Sequence, residues 1–163
     1  MKILVLGVGN ILYQDEGIGV RVVQELEKSY LFSDNVRLMD GGTLGLRLLD
    51  VMMEYERMIV IDAALWGAAP GRARTFSAEE TRLAGRSFQK TIHQMDLPDT
   101  LALCQKLGQA PQTVVIGVQP HNCLDLGDRL TPPLLAALDE IIALTLEQIK
   151  EAGGTWRIKT GQN

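Results

Sequence analysis

The chain has 163 residues, 16 basic and 20 acidic side chains, and a formal net charge of −4. Its length suits one ordinary domain, and an apolar fraction of 46% with a charged fraction of 22% excludes a disordered chain. The acidic balance excludes a general nucleic-acid binder, and no apolar run approaches the ~18 residues of a membrane span. Two cysteines are too few for a disulfide framework and no signal-like segment is recognisable, so we expect a cytoplasmic protein.

The first half of the chain predicts strands that alternate with helices. Residues 2–8 and 58–63 are continuous apolar runs, typical of strands buried on both faces of a sheet. A shorter strand is expected over residues 36–39. Residues 16–30 and 44–55 carry apolar side chains on one face at helical spacing, so each segment predicts a helix.

The second half continues this alternation. In chain order it predicts a half-exposed edge strand over 72–76, a loop with at most one helical turn over 78–91, a helix from its N-cap Asp96 to about Leu107, a buried strand over 113–118 and a last helix after the N-cap Thr131. Residues 1–152 are expected to form a single α/β domain, and residues 153–163 a loose C-terminal tail.

The alternation of strands and helices predicts an α/β fold. We expect a mostly parallel sheet of about five strands with helices on both faces. Such sheets bind ligands beyond the carboxyl ends of the strands, where the strand order reverses. The polar side chains at strand ends are therefore the candidate functional residues.

A glycine-containing loop follows the first predicted strand, which is the usual place of a dinucleotide-binding loop. Residues 7–12 read Gly-Val-Gly-Asn-Ile-Leu, so Leu12 replaces the third glycine of the dinucleotide pattern. The next helix opens with Asp15 and Glu16, whose carboxylates stand where a pyrophosphate needs bare amide groups. Asp40 could serve as a ribose-binding acid, but the pattern as a whole disfavours a nucleotide and suits a cation.

Three side chains form a candidate metal site. If the first and third predicted strands are neighbours, Glu16 and Asp62 meet above one edge of the sheet, and His93 precedes a helix close enough for its imidazole to reach the same cleft. Two carboxylates and an imidazole suit nickel, zinc or manganese and leave room for water or substrate. Ordinary roles fit too: Asp15 and Glu16 as helix stabilisers, Asp62 as an acceptor for loop amides and His93 as a polar loop residue.

Two cysteine-containing segments are further candidate sites. His121 and Cys123 follow the strand at 113–118 and could form a pair of soft ligands, although a His-x-Cys spacing favours a packing role. Cys104 falls in the middle of a predicted helix on a partly buried face, which disfavours a nucleophilic role.

Five short motifs, in their order and spacing, resemble those of the nickel–iron hydrogenase maturation endopeptidases. They are Gly7-Val8-Gly9-Asn10, Asp15-Glu16-Gly17-Ile18-Gly19, Asp40-Gly41-Gly42-Thr43, Ile61-Asp62-Ala63 and His93-Gln94. Each motif alone is modest, and the five together in register are specific. The resemblance extends from Met1 through the final predicted helix.

The resemblance implies a three-layer α/β fold around a twisted sheet and a peptide hydrolase, often classed as aspartic-type. The implied substrate and partner is the large-subunit precursor of a nickel–iron hydrogenase, which loses a C-terminal peptide after nickel is inserted. The implied metal-recognising residues are Glu16, Asp62 and His93. The nickel is expected to arrive with the precursor, and zinc or cadmium to be able to replace it.

The resemblance also assigns roles to the Asp-Gly-Gly segment. Asp40, Gly41 and Gly42 are implied to contact the precursor, and the aspartic-type class gives Asp62 or Asp40 the role of general base. The metal could act as a checkpoint that positions the scissile bond, or it could also polarise the carbonyl or activate water. A non-catalytic, nickel-dependent chaperone or docking module for hydrogenase assembly is the alternative. Segments 66–89 and 119–129 are expected to help decide which precursor is accepted.

Overall fold

The computed structural model describes residues 1–42, 48–84 and 97–161. The strands are β1 (Ile3–Val8), β2 (Tyr30–Phe32), β3 (Val36–Gly42), β4 (Arg57–Ala63), β5 (Ala73–Ser77), β6 (Gln112–Val118) and β7 (Trp156–Ile158). The helices are α1 (Ile18–Ser29), α2 (Leu48–Met52), α3 (Ala78–Ala84), α4 (Leu97–Lys106) and α5 (Pro132–Glu151), and a 3-10 helix (Gln14–Gly17) precedes α1. No helix in these ranges is both long enough and apolar enough to cross a membrane.

Five strands form the main sheet, in the order β3-β1-β4-β6-β5. The first four are parallel, and β5 pairs antiparallel with β6 at one edge. Most residues of β1, β4 and β6 are buried, which explains why these strands are continuous apolar runs in the sequence. The predicted mostly parallel sheet of five strands is confirmed, and so is the edge position of the strand predicted over 72–76.

Alternate residues of β1 enter two different hydrophobic layers. Ile3 and Val5 pack in a cluster with side chains of α1 and α5, whereas Leu4 and Leu6 pack with side chains of α2 and α4. Successive side chains of a strand point to opposite faces, so the two clusters cover opposite faces of the sheet. The predicted three-layer arrangement, with helices on both faces, is confirmed.

The strand order reverses at β1. The chain passes from β1 through α1 to β3 on one side, and then through α2 to β4 on the other side. Parallel pairing places Ile61 of β4 beside Gly7 of β1, so the carboxyl ends of these two strands lie together. The neighbour relation on which the predicted Glu16–Asp62 site depends is therefore confirmed, at the place where α/β sheets usually bind ligands.

A second, two-stranded sheet joins β2 to β7 in an antiparallel pair. The rings of Tyr30 and Trp156 meet edge-on with centroids 5.4 Å apart, and Lys159 N donates a hydrogen bond to Ser29 O at 2.9 Å. The loose tail predicted for residues 153–163 is therefore wrong for residues 156–159. A strand of three residues carries too little pattern to be recognised, and its partner strand lies near the other end of the chain.

The helix predicted over residues 16–30 starts with a tighter turn. A 3-10 helix over Gln14–Gly17 comes first, and the α-helix begins at Ile18 and ends at Ser29. Residues 44–47 of the next predicted helix lie outside the described residues, and so does Asp96, the predicted N-cap of α4.

The loop predicted over residues 78–91 begins instead with the helix α3. Ser77 N donates to Glu80 Oε2 at 2.7 Å, and Glu80 N donates to Ser77 Oγ at 3.1 Å. These reciprocal bonds form a capping box, which is a helix-start signal readable from the sequence. Its Ser-x-x-Glu spacing would have predicted α3. Residues 85–91 of the predicted loop lie outside the described residues.

Candidate functional site

Glu16 and Asp62 lie at the reversal of strand order. Glu16 belongs to the 3-10 helix that follows β1 and is 3% exposed, and Asp62 is the penultimate residue of β4 and is 6% exposed. The 3-10 helix contacts β4 directly. The structure thus brings two nearly buried carboxylates to the same edge of the sheet.

Two glycines allow the close approach of these segments. A Cβ atom on Gly9 would lie 1.8 Å from the carbonyl oxygen of Glu16, and a Cβ atom on Gly19 would lie 2.0 Å from the carbonyl oxygen of Ile61. Only a hydrogen atom fits at either position. Gly19 lets the first turn of α1 rest on β4 beside Asp62, and Gly9 lets the Glu16 turn pack against the loop after β1. The glycine loop therefore packs against its own chain.

Two buried carboxylates suit a divalent cation. Carboxylate oxygens accept nickel, zinc and manganese, and a charge shielded from water needs an opposite charge or hydrogen-bond donors nearby. The predicted third ligand, His93, lies outside the described residues. Within the three described ranges, no group of three or more His, Cys, Asp and Glu side chains could hold a metal ion. Two of the three predicted ligands therefore lie at the same edge of the sheet, and their role as ligands stays a prediction.

Asp15, which the sequence suggested as a helix stabiliser, is a fully buried hydrogen-bond acceptor. Its Oδ2 accepts bonds from His121 N and Asn122 N, both at 2.9 Å. Thr131 donates twice, from Oγ1 to Oδ2 at 2.7 Å and from N to Oδ1 at 2.8 Å. Thr131 occupies the N-cap position of α5 as predicted, but its hydroxyl makes no capping bond to that helix. Four donors stabilise the Asp15 carboxylate away from solvent.

Backbone hydrogen bonds join the same two segments of chain. They run from Gln14 N to Gly127 O at 2.9 Å, from Asp15 N to Asn122 O at 3.1 Å and from Gly127 N to Leu12 O at 2.8 Å. The loop between β6 and α5 is thus held against the turn that carries Glu16. Sequence reasoning missed this support because the bonding segments are far apart along the chain.

The Asp-Gly-Gly segment ends β3 beside the loop that follows β1. Asp40 is exposed, Gly41 is buried, and Asp40 Oδ1 accepts a hydrogen bond from Gly42 N at 2.9 Å. Gly9 N in turn donates to Gly42 O at 3.2 Å. A cleft of about 390 Å³ opens here, and its lining residues are Gly9, Asn10, Ile11, Leu12, Val20, Asp40 and Gly42. Asp40 therefore faces solvent in a cleft, whereas Glu16 and Asp62 are buried outside its lining.

A second cavity, of about 560 Å³, lies between the segments that follow β4 and β6. Its lining residues are Leu65, Pro120, His121, Asn122, Cys123, Leu124 and Asp125. The pair His121 and Cys123 thus lies in the wall of this cavity, with His121 exposed and Cys123 half-buried. Among the described residues, the pair belongs to no group of three side chains able to hold a metal ion.

Cys104 lies on α4 and is fully buried. Burial raises the pKa of its thiol, because the thiolate form would lose its hydration. An inaccessible, protonated thiol is a poor nucleophile, in agreement with the prediction from its place in the helix.

The chain matches a family model and sequence relatives whose names concern hydrogenase maturation or formation. A profile of the hydrogenase maturation protease family, HycI, matches residues 20–148. The hydrogenase expression/formation protein HupD of Bradyrhizobium diazoefficiens is 39% identical over 155 residues, which cover 94% of this chain and 81% of the relative. The hydrogenase 2 maturation protease of Escherichia coli is 38% identical over 157 residues, which cover 94% of this chain and 93% of the relative.

Solved structures agree with the sequence relatives. The hydrogenase maturating endopeptidase HybD from Escherichia coli superposes with a TM-score of 0.88 and 36% identity, covering 98% of both chains. The NiFe hydrogenase maturation protease HybD from Thermococcus kodakarensis superposes with a TM-score of 0.71 and 27% identity, covering 91% of this chain and 99% of the other. The first superposition covers 98% of this chain, so the similarity extends over nearly the whole fold.

Proposed function

Because the chain belongs to the hydrogenase maturation protease family and is therefore a protease, we propose that it removes a C-terminal peptide from the large-subunit precursor of a nickel–iron hydrogenase. The observation that carries this proposal is the pair of buried carboxylates, Glu16 and Asp62, at the reversal of strand order. Both described clefts near this edge are small, at about 390 and 560 Å³, so they suit an exposed chain segment of the substrate and not a whole protein.

The proposal extends to recognition of nickel that the precursor carries. Glu16, Asp62 and His93 would complete the coordination of this nickel, so only a loaded precursor would be held in position for cleavage. Buried carboxylates support this role, because exposed ones would bind water and passing cations. Since both metals accept carboxylate and imidazole ligands, zinc or cadmium should be able to occupy the same residues.

Hydrolysis also requires a general base. In the proposed step, the base takes a proton from a water molecule, the water oxygen adds to the scissile carbonyl carbon, and the carbon–nitrogen bond breaks as the leaving amine takes up the proton. Asp40 is exposed, so water reaches its carboxylate in the free protein. Asp62 is nearly buried, which suits a metal contact better. We therefore assign the base to Asp40 and the metal contact to Asp62.

The test incubates the protein with one precursor in nickel-loaded and nickel-free forms and weighs the products by mass spectrometry. We expect loss of a C-terminal peptide from the nickel-loaded form alone. Equal cleavage rates for the two forms would contradict the proposed recognition of nickel, but they would still agree with the proposed protease activity. A precursor that binds in its nickel-loaded form and stays intact would overturn the proposed processing function.

The alternative role, a non-catalytic nickel-dependent chaperone or docking module, is disfavoured because the family is one of proteases. A nucleotide is not proposed as a ligand either. A nucleotide would need a glycine loop with open space for its phosphates. Here the loop is packed against the chain: Gly9 lies so close to the carbonyl oxygen of Glu16 that not even a Cβ atom would fit between them. The proposed place of action is the cytoplasm, and this chain is proposed to bind no nucleic acid and to insert in no membrane.

A further inference from the structure

Four exposed leucines lie on the three segments that border the candidate site. Leu12 is 57%, Leu65 48%, Leu124 84% and Leu126 73% exposed, and we call this group the leucine rim. We propose that the leucine rim binds an apolar, non-acidic stretch of the precursor polypeptide next to the scissile bond. This inference rests on the proposed function, and it adds the surface that selects the substrate chain.

The leucine rim is continuous with the edge of the sheet where Asp62 lies. Leu65 follows Asp62 closely in the segment after β4, and it lines the 560 Å³ cavity together with Leu124. Two bonds hold this segment to the neighbouring chain: Ala64 N donates to Val118 O and Trp66 N donates to Gln119 Oε1, both at 2.9 Å. The cavity therefore opens directly beside the carboxyl end of β4.

The other end of the leucine rim reaches the cleft of Asp40. Leu12 lines that cleft, and its carbonyl oxygen accepts the hydrogen bond from Gly127 N at 2.8 Å. Gly127 follows Leu126 directly, so the segments that carry Leu12 and Leu126 are joined. A polypeptide lying along the leucine rim would pass from the 560 Å³ cavity, near Asp62, to the cleft of the proposed base.

The loop that carries Leu124 and Leu126 is held in place before any partner binds. Asp15 bonds to its start at His121 and Asn122 and to its end at Thr131. Apolar side chains exposed on a fixed backbone lose little conformational entropy on binding, which favours recognition. Of the ten large apolar side chains exposed in the described residues, four belong to this one edge, and such a concentration marks an interaction surface.

Charge favours the precursor over a second copy of this chain as the occupant. Asp125 lines the 560 Å³ cavity, Asp40 lines the smaller cleft, both are exposed, and the whole chain carries a net charge of −4. Two copies docked through this edge would bring acidic surfaces together, whereas a neutral or basic apolar segment meets no such repulsion.

The experiment compares the variant L65S/L124S/L126S with the wild type on nickel-loaded precursor. We expect KM to rise at least about tenfold while kcat stays within about twofold, because the leucines bind the chain and touch no reacting atom. The matched control is Leu107→Ser, since Leu107 is 53% exposed after α4, away from the candidate site, and this variant should leave KM unchanged. An unchanged KM in the triple variant overturns the proposal.

Two further measurements keep the outcome decisive. Leu124→Ser alone replaces an 84% exposed side chain and should fold normally, so a raised KM in it supports the proposal even if the triple variant unfolds. If the wild type cleaves no precursor, the proposed function fails, and the leucine rim is then judged by precursor binding, which must weaken at least about tenfold in the triple variant. A wild-type dimer that becomes monomeric in the triple variant, measured by light scattering, would make the rim a self-association surface and overturn the proposal.

Discussion

Thr131 donates two hydrogen bonds to the carboxylate of Asp15, from Oγ1 at 2.7 Å and from N at 2.8 Å. This relationship ties the start of α5 to the turn that carries Glu16. It also explains why an acidic side chain with no access to solvent is stable, since four donors converge on it from one loop. The position of Glu16 in the candidate site therefore depends on the hydrogen bonds that its neighbour Asp15 makes to the loop before α5.

Replacing Asp15 by Asn would put an amide donor among four donors. We expect the free energy of unfolding to fall by about 3 kcal/mol, because a buried N–H loses its acceptor and the charge-assisted bonds disappear. Urea unfolding followed by circular dichroism measures the change. The matched control is Asp139→Asn on the exposed side of α5, which should change stability by less than about 0.5 kcal/mol. A loss below about 1 kcal/mol for Asp15→Asn would contradict the support role.

Glu16→Gln and Asp62→Asn keep the size of each side chain and remove its charge. Both variants should slow processing of nickel-loaded precursor at least about a hundredfold, because a neutral amide is a poor metal ligand. His93→Ala should do the same. The unfolding midpoints of Glu16→Gln and Asp62→Asn should stay within about 4 °C of the wild type, since these two side chains lie at the end of the sheet and not in its core.

The control for these variants is Glu54→Gln, which changes an exposed acid remote from the site and should process precursor at the wild-type rate. Wild-type activity in Glu16→Gln or Asp62→Asn would remove that residue from the proposed ligand set. A variant that unfolds far below the wild-type temperature would instead assign the residue to a structural role.

Asp40→Asn tests the proposed base. We expect kcat to fall about a hundredfold and KM to change by less than about threefold, because the amide cannot accept the proton of water yet still fits the cleft. Steady-state kinetics on nickel-loaded precursor measure both constants. Asp34→Asn, also exposed, should leave both unchanged. A full kcat in Asp40→Asn would move the role of base to Asp62.

Gly19→Ala tests the close contact between α1 and β4. Its Cβ atom would lie 2.0 Å from the backbone oxygen of Ile61, which cannot move without disturbing the sheet. We expect a loss of about 3 kcal/mol in the free energy of unfolding. Gly161→Ala, where a Cβ atom meets nothing within 4 Å, is the matched control and should be neutral. Equal stability of the two variants would contradict the proposed packing.

The strands of the main sheet were predictable because each carries its own signal. β1, β4 and β6 are apolar on both faces, and this pattern is a property of the segment itself. The pair β2 and β7 was not predictable, because each strand has three residues and depends on the other for its hydrogen bonds. The same holds for the candidate site. Glu16 and Asp62 could be picked out because strong strand signals mark their segments. The hydrogen bonds of Asp15 could not be predicted, because its partners lie more than 100 residues away along the chain.

The alternation of strands and helices could be predicted from the apolar pattern alone, since burial on two faces leaves a local signal, and so could the place of Glu16 after the first strand and of Asp62 at the end of β4. The buried acceptor role of Asp15 and the shared edge of the leucines on three segments become visible only in the folded chain. These features arise where segments far apart in the chain meet. A hydrogen bond or a surface shared by distant segments leaves no periodic trace in either segment.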